Sequence, residues 1–289
     1  MSSKSESAVT DSGNRTGVTL SLKEPTTIPI EADAISPDKF LGRSQAEIAA
    51  LPLFYGRRRM TVGDLFTIEG EDPENIVLEG DLSHVKRVGH RMSRGCITIH
   101  GDVGLHLGAE MSGGEIVVHG DVGAWAGAQM SGGRIWVHGS AGPMLGAVYT
   151  GEKLGMRGGE IIVDGSAGPR AAERMRRGII VVQGDLGDFA GARMIAGSLF
   201  TFGKLGARPG AGMKRGTLLA LDGLSDGLLP TFRYSCTCES PSFLRYYLHR
   251  LRSWELPVKE EHIEGWYRRY TGDATTIDKG ELFIYDQRQ

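Results

Sequence analysis

Short apolar runs, each closed by a polar residue and a glycine, recur along the middle of the chain. They read ITIHG from Ile97, IVVHG from Ile116, IWVHG from Ile135, IIVDG from Ile161, IVVQG from Ile180 and LFTFG from Leu199. The starts step by 19, 19, 26, 19 and 19 residues, and the long interval holds an insert, AVYTGEKLG, between Gly146 and Met156. A degenerate earlier unit surrounds residues 76 to 95, and LLALDG (218 to 223) opens a last partial one. Self-similarity at a short fixed period marks a solenoid. Nineteen residues dense in glycine cannot hold two helices, whereas a β-favouring run followed by glycine turns makes one coil of a β-helix. The pattern therefore predicts a mainly β fold of about seven 19-residue coils, about 4.8 Å apart in the stack.

Positions that repeat in every coil must stack on themselves. Met92, Met111, Met130, Met156, Met175, Met194 and Met213 form one such column, and Gly95, Gly114, Gly133, Gly159, Gly178, Gly197 and Gly216 another. A second glycine column, Gly108, Gly127, Gly146, Gly191 and Gly210, is interrupted by Ala172. The methionines read as flexible apolar filling at a corner of the coil rather than as soft-metal ligands. A phosphate cradle needs one special glycine loop opening a helix, and these glycines recur in every coil and precede none. They read as punctuation of the fold.

Strand alternation turns Ile97 and Ile99 inward and His100 outward, and His119 and His138 follow the same rule. Stacked imidazoles raise the possibility of a shared metal, but the column continues as Asp164, Gln183 and Phe202, with Glu79 before it. A polar ladder on an exposed or partner-facing edge is the plainer reading. The alternate positions Thr98, Val117, Trp136, Ile162, Val181, Phe200 and Leu219 face away from the interior, yet most are large and apolar. Such a stripe requires a cover, either a second layer of the same chain or another subunit.

The ends differ from the coils. Residues 1–16 read as a disordered tail, 17–75 as an α/β cap, 76–223 as the β-helix and 224–289 as a helix-plus-strand extension. VTLSLK alternates as a strand, SPDKF and SQAEIAAL read as short helices, and Ser44 with Glu47 makes a capping box. PSFLRYYLHRLRSWELP places Phe243, Tyr247, Leu251 and Trp254 on one helical face, and KGELFIYDQ reads as a final strand.

Composition narrows the chemistry. A formal net charge of −2 lacks the footprint of a nucleic-acid binder, and no stretch has the length and apolarity of a membrane span. The start shows no signal-peptide run, so a cytoplasmic location is expected. Three cysteines, Cys96, Cys236 and Cys238, fit a reducing compartment and are too few for a four-cysteine cluster within this chain. Cys236-x-Cys238 lacks further visible ligands. Asp102, Asp121 and Asp185 follow strands, where aspartate satisfies local backbone amides. No triad or carboxylate dyad stands out, and no catalytic, cofactor-binding or metal-ligating residue is assigned. The insert with Tyr149, Glu152 and Lys153 is where contacts are most expected.

The coils, together with IPIEADAISPDKFLGRSQAEIAALPLFYG, VGDLFTIEG and VKRVGHRMSRG, resemble the C subunit of formylmethanofuran dehydrogenase and of its bacterial counterpart, the formyltransferase/hydrolase complex. The resemblance runs from about Leu20 to about Thr217. The coils alone are also similar to the GXGXG domain at the C-terminal end of the glutamate synthase large subunit, which implies a right-handed β-helix with a scaffolding role. The extension LLPTFRYSCTCESPSFLRYYLHRLRSWELPV is similar to that of the bacterial subunits. The resemblance implies a structural subunit of a complex that moves a formyl group from formyl-tetrahydromethanopterin to a methanofuran-type carrier and releases formate, in the formaldehyde oxidation of methylotrophs. It implies A (amidohydrolase-like, zinc-bearing), B and D (formyltransferase) partners and no cofactor in this chain. Two alternatives stay open: the C subunit of an archaeal-type tungsten or molybdenum dehydrogenase, and a stand-alone metalloenzyme using the histidine ladder.

Overall fold

The computed structural model describes residues 17–287, so the tail expected over 1–16 lies outside the described residues. In chain order the elements are β1 (Gly17–Leu22), β2 (Ile30–Glu31), α1 (Pro37–Phe40), α2 (Gln45–Ala49), β3 (Pro52–Tyr55), β4 (Arg58–Thr61), α3 (Val62–Leu65) and β5 (Phe66–Glu69). The repeats follow as β6 (Asp72–Glu79), β7 (Val85–Lys86), β8 (Cys96–His100), β9 (Glu115–Val118), β10 (Arg134–Val137), β11 (Arg157–Val163), β12 (Arg177–Val182), β13 (Ser198–Thr201) and β14 (Arg215–Ala220). Last come β15 (Arg233–Glu239), α4 (Ser242–Ser253), α5 (Glu260–Glu264), β16 (Trp266–Gly272) and β17 (Lys279–Tyr285).

The chain is mainly β. β6 and β8 to β14 lie side by side in parallel within a 13-stranded sheet, each beside the strand of the next repeat. Register follows the repeat: Ile97 faces Ile116, which faces Ile135, and the line runs on through Ile161, Ile180, Leu199 and Leu218. A second parallel line of single bridges joins Leu82, Val103, Val122, Ala141, Ala167, Leu186, Leu205 and Leu224. Ile135 still pairs with Ile161 across the longer interval, because the insert is looped out of both lines.

The apolar runs drive this stacking. Ile97, Ile99, Ile116, Val118, Ile135 and Val137 are fully buried in one continuous core, as is every member of the methionine column. Burial of each such side chain is worth about 1.5–3 kcal/mol. The turns that join the lines use the left-handed backbone region even at residues with side chains: His106, Trp125, Met144, Arg170, Phe189 and Arg208 have φ between 55 and 66°. Ala172, which interrupts the second glycine column, keeps φ 58°. A left-handed residue costs about 1–2 kcal/mol, and here it aims the backbone N–H along the stack. The amide of His106 donates to Ala124 O (2.9 Å), that of Trp125 to Pro143 O (3.0 Å) and that of Arg170 to Asp188 O (2.8 Å), each on the following repeat.

The aspartates after the strands serve the stack in the same way, which corrects the expectation of purely local turns. Asp102 Oδ1 accepts from the Asp121 amide (2.8 Å), Asp121 Oδ1 from Ser140 (2.7 Å) and Asp185 Oδ1 from Lys204 (2.7 Å), each donor 19 residues on. Ser140 and Ser166 continue the series through their hydroxyls.

Both ends of the stack are closed. β1 pairs parallel with β6 and antiparallel with β5, and a small sheet of order β4-β3-β2-β7 sits beside them. The Glu47 carboxylate accepts from the Ser44 amide (2.8 Å), and the Ser44 hydroxyl accepts from the Glu47 amide (3.4 Å), which completes the predicted capping box. At the other end β17 adds to β14 in parallel, pairing Leu218 with Leu282 and Leu219 with Phe283, before β16 and β15 continue antiparallel. A parallel edge that would invite another chain is thereby covered. Among the described residues no helix is long and apolar enough to cross a membrane.

Candidate partner-binding face

The outward apolar stripe is covered over only part of its length. On the later repeats Ile162, Val181, Phe200 and Leu219 are buried beneath a second layer of the same chain, built from α4, α5 and the residues between them. The helix face that does this is Leu244, Leu248 and Leu251, all fully buried. This departs from the predicted face: Phe243 is 39% exposed, and only Leu251 of the predicted set is fully buried. The buried leucines recur at i, i+4 and i+7, an equally helical spacing, and the aromatics lie at the margin, where Phe243 meets Phe283 edge-on at 5.6 Å.

The cover ends at β10. There Trp254 is flanked by the guanidinium groups of Arg134 (5.3 Å) and Arg250 (4.9 Å), and both arginines pair with Glu160. Beyond this clamp Thr98, Val117 and Trp136 continue the stripe as partly exposed side chains. Position by position they are the equivalents of the buried Ile162, Val181, Phe200 and Leu219.

The three ladder histidines border this open half. His100 and His119 stack with ring centroids 5.0 Å apart and planes 8° apart, and His119 and His138 at 5.1 Å and 19°. Imidazole lone pairs lie in the ring plane, so stacked rings direct them side by side rather than toward one point. His138 Nδ1 is instead 2.6 Å from Asp164 Oδ2, while Trp136 Nε1 donates to Asp164 Oδ1 (3.1 Å) and Gln183 Nε2 to the same oxygen (2.5 Å). The ladder thus ends in a carboxylate held by three side chains. Burial, then the neighbouring His138 and His100, lower the pKa of His119. Among the described residues no group of three or more His, Cys, Asp or Glu is placed to hold a metal ion.

The insert folds back on the left-handed turn column. Tyr149 Oη lies 2.9 Å from His106 Nδ1, and the His106 ring stacks on Trp125 at 5.4 Å. Burial pushes the Tyr149 phenol up to about 12, and burial followed by the Arg87 charge lowers His106. Glu152 and Lys153 are exposed at the loop tip. Sequence reading missed a neighbouring cluster that ties the cap to the first repeats. Arg87 Nε donates to Asp33 Oδ1 (2.6 Å), and His90 lies between Asp33 (3.0 Å) and Glu110 (3.4 Å). Burial alone would raise Asp33 and Glu110, but their hydrogen bonds from His90 and the arginines outweigh it and lower both. These residues lie up to 77 positions apart and carry no local pattern.

Cys236 and Cys238 lie two apart on β15, opposite Arg269 and Tyr267 of β16. Burial, then the Cys236 neighbour, raises the Cys238 thiol, away from the thiolate that nucleophilic or metal chemistry requires. Cys96 is raised by burial as well.

No protein-family model matches this chain. A chain in the crystal structure of the formyltransferase/hydrolase complex from Methylorubrum extorquens, solved in complex with methylofuran, superposes with a TM-score of 0.85 at 36% identity. That match covers 93% of this chain and 100% of the other. The C subunit of the tungsten-containing formylmethanofuran dehydrogenase 2 of Methanothermobacter marburgensis is 36% identical over 97 residues, or 32% of this chain and 36% of the relative. The C subunit of the molybdenum-containing formylmethanofuran dehydrogenase 1 of the same organism is 42% identical over 94 residues, covering 32% of this chain and 24% of the relative. The matched segments therefore span about a third or less of these curated relatives.

Proposed function

Since the chain belongs to the family of C subunits found in formyltransferase/hydrolase complexes and formylmethanofuran dehydrogenases, we propose that it is the non-catalytic structural subunit of a formyltransferase/hydrolase complex. In this reading its partners carry the chemistry: a formyl group passes from formyl-tetrahydromethanopterin to a methanofuran-type carrier and leaves as formate, with zinc held in an A subunit and transfer performed by a D subunit. The stack is a right-handed β-helix (76–223) between an α/β cap (17–75) and a C-terminal extension (224–289), in a cytoplasmic assembly.

One observation carries the reading: the match along the whole length of a chain from such a complex, at 36% identity and a TM-score of 0.85. The open half of the stripe adds a physical reason. Thr98, Val117 and Trp136 stop short of the cover that α4 supplies to their neighbours, and the histidine ladder beside them offers hydrogen-bonding edges. A partner seated there would complete the second layer. A rod with a closed core and fixed ends suits the task of holding two active sites at a constant separation, so that a tethered carrier can visit both.

The test is to purify the tagged protein from its own cells and determine the mass, chain composition and metal content of what accompanies it. Amidohydrolase-like and formyltransferase chains with zinc are the expected result. Tungsten or molybdenum with iron-sulfur clusters would assign it to the dehydrogenase type. A lone chain carrying its own metal would overturn the proposal.

A further inference from the structure

A groove of about 820 Å³ opens where the glycine-turn column of the stack meets the start of α4. Its floor carries Arg176 and Arg177 at the start of the β12 rung, and Lys214 and Arg215 at the start of the β14 rung. The rung between them presents the neutral Ile195 and Ala196. All four cationic side chains are exposed, and among the described residues none has an ion-pair partner. The carboxylate in the lining, Glu281, is already engaged by Arg269 at 2.5 Å. The chain as a whole is slightly acidic, with a net charge of −2, so this concentration of free positive charge is local.

The wall is apolar. Phe243 (39% exposed) and Ile277 (46% exposed) flank the cations, with Tyr247 beside them. These are two of the few large apolar side chains the molecule leaves open, and both sit over the groove.

We propose that this groove binds an extended acidic peptide segment of a partner protein, with carboxylates at positions i and i+3 and an apolar residue between them. The geometry argues for a line rather than a point. Rungs of a parallel sheet are about 4.8 Å apart, so the two cation pairs are about 10 Å apart along the stack. A polyproline II segment rises about 3.1 Å per residue with three residues per turn, which returns residue i+3 to the same face about 9.3 Å on. Each carboxylate then meets one arginine-containing pair, while the two residues between them project to the sides, one of them toward the apolar wall of Phe243 and Ile277. A lone phosphate would need cations converging on one centre, and these are separated by the neutral rung.

The probe is a fluorescein-labelled peptide of three Glu-Pro-Leu repeats, titrated against the full chain by fluorescence anisotropy. Saturable binding is expected, weakened at least about tenfold by Arg177→Glu with Arg215→Glu. It should also weaken steeply between about 0.05 and about 0.5 M salt, as screening requires. Reversal of the exposed and remote Arg58 (Arg58→Glu) should leave it unchanged. Lys214→Glu alone provides a second variant, and unchanged thermal midpoints establish that the variants are folded. Equal binding of the Gln-Pro-Leu peptide, indifference to the charge reversals, or no binding at all would overturn the proposal. So would displacement of the peptide by millimolar inorganic phosphate, or stronger binding to anionic phosphatidylglycerol vesicles than to the peptide.

Discussion

Replacing Gly133 by alanine tests whether the glycine column is set by the approach of neighbouring repeats. Gly133 has φ +83°, and a Cβ there would stand 2.7 Å from Gly114 O, 2.9 Å from Gly113 C and 2.6 Å from the Met111 methyl. The methyl can swing aside. The Gly114 carbonyl cannot, because it accepts the Arg134 amide at 3.0 Å and so holds two repeats in register. Gly151, in the exposed insert, has φ +91° and nothing within 4 Å of its would-be Cβ, so Gly151→Ala isolates the backbone cost. That cost is about 1–2 kcal/mol of left-handed strain, less about 0.4–1 kcal/mol of unfolded-chain entropy, or a net loss of about 1 kcal/mol. Overpacking adds about 1–3 kcal/mol at Gly133, for a total of about 2–4 kcal/mol. At about 2.1 cal/mol/K of unfolding entropy per residue, a chain of this size loses about 1.6 °C per kcal/mol. Calorimetry should therefore find Tm lowered by about 3–7 °C for Gly133→Ala and by less than about 2 °C for Gly151→Ala. Equal shifts would mean that the column answers to φ alone, and the argument from close approach would fail.

Other predictions follow from single contacts. Asp121→Ala removes the acceptor of the Ser140 amide and should lower stability by about 1 kcal/mol, read by urea unfolding, while Asp226→Ala, whose exposed carboxylate accepts from the adjacent Gly227 amide, serves as the near-neutral comparison. Leu248→Ala empties a fully buried position between α4 and the outer stripe and should cost about 2–5 kcal/mol, with new binding of a hydrophobic dye; an unchanged urea midpoint would show that α4 contributes no packing. His119, His106 and His262 all have lowered pKa values in the folded protein, with burial the largest cause. The unfolded chain then takes up protons first, so their contribution is complete above about pH 6.5 and falls away as pH drops through that value to the lower folded pKa values. Tm should decline between pH 7.5 and 5.5, less so in His119→Gln; a Tm that rises on acidification would contradict this.

The repeat was legible because stacking makes each position its own neighbour. A 19-residue period in the sequence becomes direct contact between Ile97 and Ile116, and the methionine column becomes a buried line. What escaped reading depends on contacts without a period. The burying face of α4 was set by where the helix lands on Val181 and Phe200, so Leu244 and Leu248 won over the equally spaced Phe243 and Tyr247. The Asp102 and Asp121 side chains reach across repeats rather than within a turn, a difference invisible when donor and acceptor both sit at loop positions. The Asp33, Arg87, His90 and Glu110 cluster joins the cap to two repeats, and the cationic groove joins two non-adjacent rungs to a helix and a distant loop. The sequence marks the whole stripe as a face needing a cover; that the same chain covers only the later rungs is visible in the structure alone.

The most direct test of the scaffold reading is to replace Val117, partly exposed in the middle of the open stripe, by glutamate and repeat the native purification. Burying an unpaired carboxylate in an interface costs several kcal/mol, whereas at the surface of the isolated chain it costs little. The account predicts that Val117→Glu keeps the thermal midpoint of the isolated chain and loses its partner chains from the purified material. A complete complex of unchanged mass retained by the folded variant would contradict the assignment of this face to subunit assembly.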